Sequence, residues 1–236
     1  MAEVPTLQTI LAGNTYPGRG IILGLTPDGR RAAMAYFIMG RSRHSQNRIF
    51  VREGEDIRTE AFDPSLLRDP SLIIYRAAAM AGDKAIVANG DQSETILEGL
   101  SRGLDFTETL NARTYEPDMP HFTPRISGII DTSDGSFTLS ILKKAGDSDD
   151  CLRLFYHYEH VTAGTGRFIS TYQHDGSPLP TFAGAPKAVC VDNDLKTWAA
   201  SLWEALDGSN RISLFARFID LETKTSETEV INRYGR

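Results

Sequence analysis

The densest chemistry in this sequence lies in nine residues, Gly40-Arg41-Ser42-Arg43-His44-Ser45-Gln46-Asn47-Arg48, directly after an apolar run. Three arginines and a histidine stand there without a compensating carboxylate, in a chain of formal net charge -6. Guanidinium forks match phosphate oxygens bidentately, and serine hydroxyls with the Asn47 amide can complete such a shell. The run reads as a phosphate cradle built on Arg41, Arg43 and Arg48, although a solvated basic hairpin loop fits the spacing as well. Tyr75 closes another apolar run ahead of Arg76, as a half-buried core residue or as a phenol at a site. At Ala88-Asn89-Gly90-Asp91 a strand ends, turns on Asn-Gly and enters a helix, where backbone N–H groups can hold an anion or a carbonyl oxygen. An ordinary turn with a cap accounts for Asn89 and Gly90 equally. Tyr115-Glu116-Pro117-Asp118 precedes Thr123-Pro124-Arg125-Ile126, so that two carboxylates and an arginine could act as acid, base and electrostatic partner. Surface loops also produce such clusters.

Other patterns point nowhere. His157, Glu159 and His160 do not form a two-histidine helical motif, and strand alternation puts His160 on the face opposite the other two, so no metal is expected. Gly164-Thr165-Gly166 is too short for a phosphate loop and reads as a turn. No serine, threonine or cysteine sits in a nucleophile elbow, which leaves covalent hydrolysis without a candidate. The acidic balance argues against nucleic acid as the main partner. No apolar run approaches the roughly 20 residues of a membrane span, and Met1 to Gly13 lacks the order of a signal peptide. Cys151 and Cys190 fit no metal spacing and are expected as small buried thiols in a cytoplasmic protein.

The elements that must position these groups are mostly strands. Arg19 to Leu25, a turn at Pro27-Asp28-Gly29, and Ala32 to Met39 make an opening hairpin. Arg48 to Arg52 pairs with Ile57 to Phe62 around Gly54; Leu72 to Tyr75 and Ala85 to Ala88 are short runs separated by Gly82-Asp83. Asp91 with Glu94 gives a capping-box-like start to a helix reaching about Arg102, and a shorter helix follows through Phe106 and Leu110. Strands resume at Ile126 to Ile130, Phe137 to Leu142, Leu152 to Tyr158 and Arg167 to Tyr172. Gly176 to Pro186 reads as a loop, Leu195 to Leu206 as an amphipathic helix, and Ile212 to Leu221 with Thr228 to Ile231 as the last strands. Many hairpins and few helices predict an α+β fold of antiparallel sheets covered by helices, in one domain over 1–236. The absence of a Gly-rich strand-to-helix loop argues against a Rossmann fold.

In order and spacing the chain resembles the archaeal-type IMP cyclohydrolases. The resemblance is carried by Tyr16-Pro17-Gly18-Arg19, Arg41-Ser42 with Asn47-Arg48, Tyr75, Gly82 to Gly90, Thr95-Ile96, Tyr115 to Asp118, Thr123 to Ile126 and Ile169 to Tyr172. It departs at Arg43 and His44, which lengthen the basic loop, at Phe37, at Arg76-Ala77 and at Gln92. The resemblance implies a four-layer αββα sandwich like that of N-terminal-nucleophile hydrolases, and closure of a formamido ribonucleotide to IMP. It implies Glu116 as proton acceptor or shuttle, Tyr75 as donor to the formyl oxygen, and Arg19 and Arg125 as charge stabilisers or orienters of the base. Arg41, Arg43 and Arg48 would hold the 5′-phosphate, with Asn47, Asn89 and Gly90 positioning ribose or base. The nucleophile belongs to the substrate, so no cofactor or metal is implied; the expected partners are a small purine nucleotide and further copies of the chain. A nucleotide-binding protein without catalysis, or an amidohydrolase for another small amide, remain as alternatives.

Overall fold

The computed structural model describes residues 3–67 and 73–235. A four-residue helix, α1 (Leu7–Ile10), is capped by Thr6, whose hydroxyl accepts the Thr9 N–H. β1 (Arg19–Leu25) and β2 (Arg31–Met39) form the opening hairpin. Its turn closes through Gly29 N–H to Thr26 O at 2.8 Å, with Gly29 at a φ of +67°, which an L side chain would resist. β3 (Ile49–Glu53) pairs with β4 (Asp56–Glu60), and β5 (Arg76–Ala81) with β6 (Lys84–Ala88). The helices α2 (Gln92–Ser101) and α3 (Phe106–Leu110) follow, then β7 (Arg125–Asp131), β8 (Phe137–Lys144), β9 (Cys151–Tyr158), β10 (Thr165–Ser170) and β11 (Lys187–Cys190). The chain continues through α4 (Leu195–Glu204), β12 (Arg211–Asp220) and β13 (Ser226–Asn232).

Two sheets result, one of six strands in the order β11-β10-β1-β2-β12-β13 and one of seven running β3 to β9 in chain order. Every strand pairing among the described residues is antiparallel. The period-two alternation of β1 and β2 decides the layering. Ile21, Leu23, Met34 and Tyr36 point between the sheets, against Val87, Ile126, Ile130, Leu139 and Ile141 of the other sheet. Their neighbours Ile22, Ala35 and Phe37 point outward, under Leu7 of α1 and Trp198 and Leu202 of α4. On the far side, Ile86 and Ile129 are covered by Ile96 of α2 and by Phe106 and Leu110 of α3. β2 is buried on both faces, which is why it is apolar almost without interruption.

Several expectations need correction. Tyr75 does not close a strand: it stands just before β5, held because Thr59 Oγ1 accepts its N–H at 2.9 Å and its carbonyl accepts the Thr59 N–H. The strand is the alanine-rich Arg76–Ala81, which carries little β propensity and pairs because both its faces are packed. Leu72, at the head of the expected run, lies outside the described residues. Asp91 does not form a capping box with Glu94, because its carboxylate is taken by Arg113 and Arg125 while Glu94 goes to Arg76; charge-assisted bonds to two guanidiniums outweigh one neutral cap bond. The capping box belongs to α3, between Asp105 and Glu108. α1 and β11 went unread, being too short for a periodicity to show. Both cysteines are free thiols but only half-buried, because both lie on edge strands.

Phe215 is fully buried between the sheets, with its ring 5.5 Å from Phe50 and 6.1 Å from Tyr36. Phe215→Ala is expected to cost about 3–5 kcal/mol, read as a lower urea midpoint with an unchanged denaturant slope.

Candidate active site

Two sequence motifs lock onto each other at the mouth of the sandwich. The Asn89 amide donates to Pro124 O (2.9 Å), and its carbonyl oxygen accepts the Ile126 N–H (2.9 Å), stitching the end of β6 to the start of β7. Asn89 Oδ1 also takes a bond from Gln92 Nε2 at 2.9 Å, so its side chain is spent on the fold. Gln92 is completely buried and presents its own oxygen to Arg125 Nη1 at 2.8 Å, while Asp91 takes the same nitrogen at 2.6 Å. Glu116 is fixed by its N–H to Thr123 O (2.9 Å). The residues between, 117–122, form a loop tied down by Asp118 Oδ1, which accepts the Thr123 N–H at 2.7 Å.

Glu116 is buried and makes one long ion pair, with Arg19 Nη1 at 3.4 Å. Burial raises its carboxyl above the usual range, and the nearby Arg19 and Arg125 only partly oppose this. Burial by itself would lower Arg19, but Glu116, Tyr75, Tyr36 and Tyr172 outweigh it and hold the guanidinium above its ordinary value. Arg48, just before β3, is 7% exposed, and its Nε has no hydrogen-bond partner; no ion pair to it occurs among the described residues. Burial and the neighbouring Arg19 lower its affinity for its proton. A buried cation without a counter-ion is costly unless something anionic completes it.

Behind these arginines the Tyr36 and Tyr75 hydroxyls meet at 2.7 Å. The pair has two hydrogens and one internal bond. One hydrogen is therefore left over, and either phenol can carry it. Burial raises both phenols, and Arg19 and Arg48 pull against it.

A cleft of about 310 Å³ opens above, lined by Arg19, Arg41 and Arg48 together with Tyr16, Asp118, His121, Thr123 and Tyr172. Tyr16 and Tyr172 stack at 6.0 Å, and the Arg41 guanidinium lies 4.9 Å over Tyr16 while pairing with Asp175 at 2.6 Å. Of the residues singled out in sequence, Arg19, Arg41 and Arg48 line this cleft. Glu116 and Tyr75 lie buried behind Arg19, and Arg125 sits over Gly90. Arg43 is exposed in the loop, and Asn47 is turned away: its amide donates to Asp63 O and its oxygen accepts the Asp63 N–H (2.8 and 2.7 Å).

The comparisons with known proteins bear on this arrangement. The family model for IMP cyclohydrolase-like proteins matches residues 16–224, a span holding every residue of the cleft. The chain belongs to the IMP cyclohydrolase-like family. An IMP cyclohydrolase of Methanopyrus kandleri is 34% identical over 119 residues, a stretch that makes up 49% of this chain and 59% of that protein. The match thus spans less than two thirds of that relative.

Among the departures noted in sequence, Arg43 and His44 lie between the cleft-lining Ser42 and Ser45, whereas Phe37, Arg76 and Gln92 lie away from the cleft wall. Phe37 packs on the outer face of its sheet, stacked 6.0 Å from Phe168. Arg76 bridges Asp56 and Glu94, and Gln92 is spent on Asn89 and Arg125. Tyr36 was not singled out in sequence, and Tyr172 and Thr123 stood only within longer segments, without a role. Tyr36 looks like one more apolar position of β2, and the partners that make it polar come from 39 residues away.

Gly90 is the contact point of the two motifs. A Cβ there would come within 2.8 Å of Arg125 Nη1 and Gln92 Oε1 and 3.4 Å of Glu116 Oε1. Gly90→Ala is expected to break the Arg125–Gln92 bond at a cost of about 1–3 kcal/mol, measured by urea unfolding.

Proposed function

We propose that this chain is an IMP cyclohydrolase, closing 5-formamidoimidazole-4-carboxamide ribonucleotide to IMP and water in purine biosynthesis. The observation that carries the reading is Arg48, a buried cation that makes no ion pair among the described residues, on the wall of a cleft beside the Arg19–Glu116 pair. A 5′-phosphate on Arg48, reached also by Arg41 once it leaves Asp175, supplies the missing charge. Arg43 can add only long-range attraction from its exposed loop, and Asn47, Asn89 and Gly90 act by holding the walls rather than by touching the nucleotide.

In the reaction the carboxamide nitrogen attacks the formyl carbon of the same molecule. A C–N bond forms, the nitrogen gives up one proton, and the formyl oxygen takes one. Loss of that oxygen as water takes a second proton, released from the formamido nitrogen, and leaves the purine ring. The amide nitrogen is a poor nucleophile, so holding the two groups in near-attack geometry supplies much of the acceleration. Glu116 receives the proton from the attacking nitrogen, its affinity raised by burial. Tyr75 directs the spare hydrogen of the pair at the formyl oxygen, with Tyr36 donating behind it. Arg19 stands between both groups and the cleft, and its 3.4 Å hold on Glu116 is loose enough to yield to substrate; Arg125 keeps Gly90 and Glu116 in place. Because the substrate carries its own nucleophile, these residues complete the chemistry without a metal or cofactor. The same reading carries with it a cytoplasmic location, a homo-oligomer and the N-terminal-nucleophile-hydrolase sandwich; the helix-sheet-sheet-helix layering supports the last.

A second reading, nucleotide binding without ring closure, is favoured by one feature: Glu116 and Tyr75 lie behind the cleft wall rather than in it.

Absorbance at the purine band, followed with purified protein and the formamido ribonucleotide in chelator, separates the two. Turnover is expected, and IMP binding without turnover would establish the second reading. Glu116→Gln is expected to lower kcat by about 10²–10⁴-fold with modest change in KM. Arg48→Ala is expected to weaken nucleotide binding by roughly tenfold to a hundredfold. Glu116 works ionised and its carboxyl is raised, so activity falls as pH drops through that raised value. The acid limb of kcat/KM is therefore expected above the ordinary glutamate value of 4.5.

A further inference from the structure

Three residues of the cleft form a hydrogen-bond chain whose direction is fixed. Thr123 Oγ1 lies 2.5 Å from Asp118 Oδ2 and 2.9 Å from the Tyr172 hydroxyl. A carboxylate has no hydrogen to give, so the single Thr123 hydrogen goes to Asp118. Thr123 then has only lone pairs left for Tyr172, and the 2.9 Å contact requires Tyr172 to donate. With its one hydrogen committed, the Tyr172 oxygen offers the cleft nothing but a lone pair. Tyr172 is 4% exposed, its ring is held by the stack on Tyr16, and Arg19 lies in its electrostatic neighbourhood. Burial pushes its phenol up to about 12 against the opposing effects of the Thr123 contact and Arg19, so it keeps its proton.

We infer that Tyr172 is a specificity-determining residue that accepts a hydrogen bond from an N–H or O–H of the bound ligand and discriminates against ligands lacking that group. Rested on the nucleotide reading above, the donor is the ring N–H or a ribose hydroxyl. Tyr75 and Tyr172 then give the site a fixed polarity. In the proposed mechanism the phenol behind the wall gives a hydrogen, and the phenol in the wall has only lone pairs. A site committed to accepting rejects an acceptor in the same place, because both groups would be left unpaired. Asp118 and Thr123 are positioning residues in this scheme, acting through Tyr172.

Two measurements test this. The first needs no ligand: the Raman tyrosine doublet, taken as the difference between wild type and Tyr172→Phe, is expected to be that of a donating phenol. An accepting or unbonded phenol would overturn the proposal. The second is calorimetry with IMP, its 2′-deoxy form and purine riboside monophosphate, which lacks the ring N–H. Tyr172→Phe is expected to weaken IMP by about threefold to tenfold and to erase the preference for IMP over one of the two analogues. Asp118→Asn, whose amide can donate to Thr123 and so release the Tyr172 hydrogen into the cleft, is expected to erase the same preference with Tyr172 still present. Preferences unchanged in both variants overturn the proposal. Wild-type protein that binds none of the three nucleotides overturns the nucleotide reading and the ligand assigned here, while the Raman result judges the chain's direction separately.

Discussion

The arrangement of the site hangs on one side chain, Asn89. Its amide spans Pro124 O and the Ile126 N–H and so welds the turn after β6 to the strand that enters the sheet beside it. Candidate site residues stand on either side of that weld. Gly90 and Asp91 meet Arg125 across it, and Thr123 carries Glu116 by a backbone bond. Buried amides with every donor and acceptor placed specify a single geometry, because each alternative leaves a polar group unpaired in a dry setting. Gln92 extends the weld into α2, so the start of the helix, the end of one strand and the beginning of another move as one body.

Charge is distributed on this frame in an uneven way. The chain is acidic overall, yet Arg19 and Arg48 converge on the cleft with one carboxylate between them. Arg41 is paired at the rim with Asp175, in a partly solvated setting where such a pair is weak. The deep cation is therefore the one without an ion pair among the described residues, and the shallow one is paired at the rim. On the proposed reading, an anion arriving from solvent would meet Arg41 first and be completed by Arg48. Around these cations the phenols of Tyr36, Tyr75 and Tyr172 make hydrogen bonds without adding charge.

The strands were legible in large part. β1 and β2 carry apolar residues and turn signals in a pattern that admits little else, and Leu195 onward repeats at helical spacing. Elements of four residues, and the alanine strand β5, were not legible, since too few side chains carry a signal and pairing with neighbours decides them. The site was legible as a set of segments but not as a set of contacts. Arg41 and Arg48 share a loop, yet one ends exposed and the other buried; Asn47, between them, faces Asp63. Tyr172 and Thr123 are 49 residues apart, and nothing local marks either as the other's partner.

Residue types and their order were enough to determine an antiparallel α+β chain with an excess of guanidinium in one loop and carboxylates before one strand. Those properties are local: side-chain alternation, turn chemistry and charge are written residue by residue. Which arginine makes no ion pair among the described residues and which phenol keeps only lone pairs are tertiary facts. They depend on burial and on partners brought together by sheet packing, and a hydrogen bond has a direction only once both of its ends, and the neighbours of each, are in place.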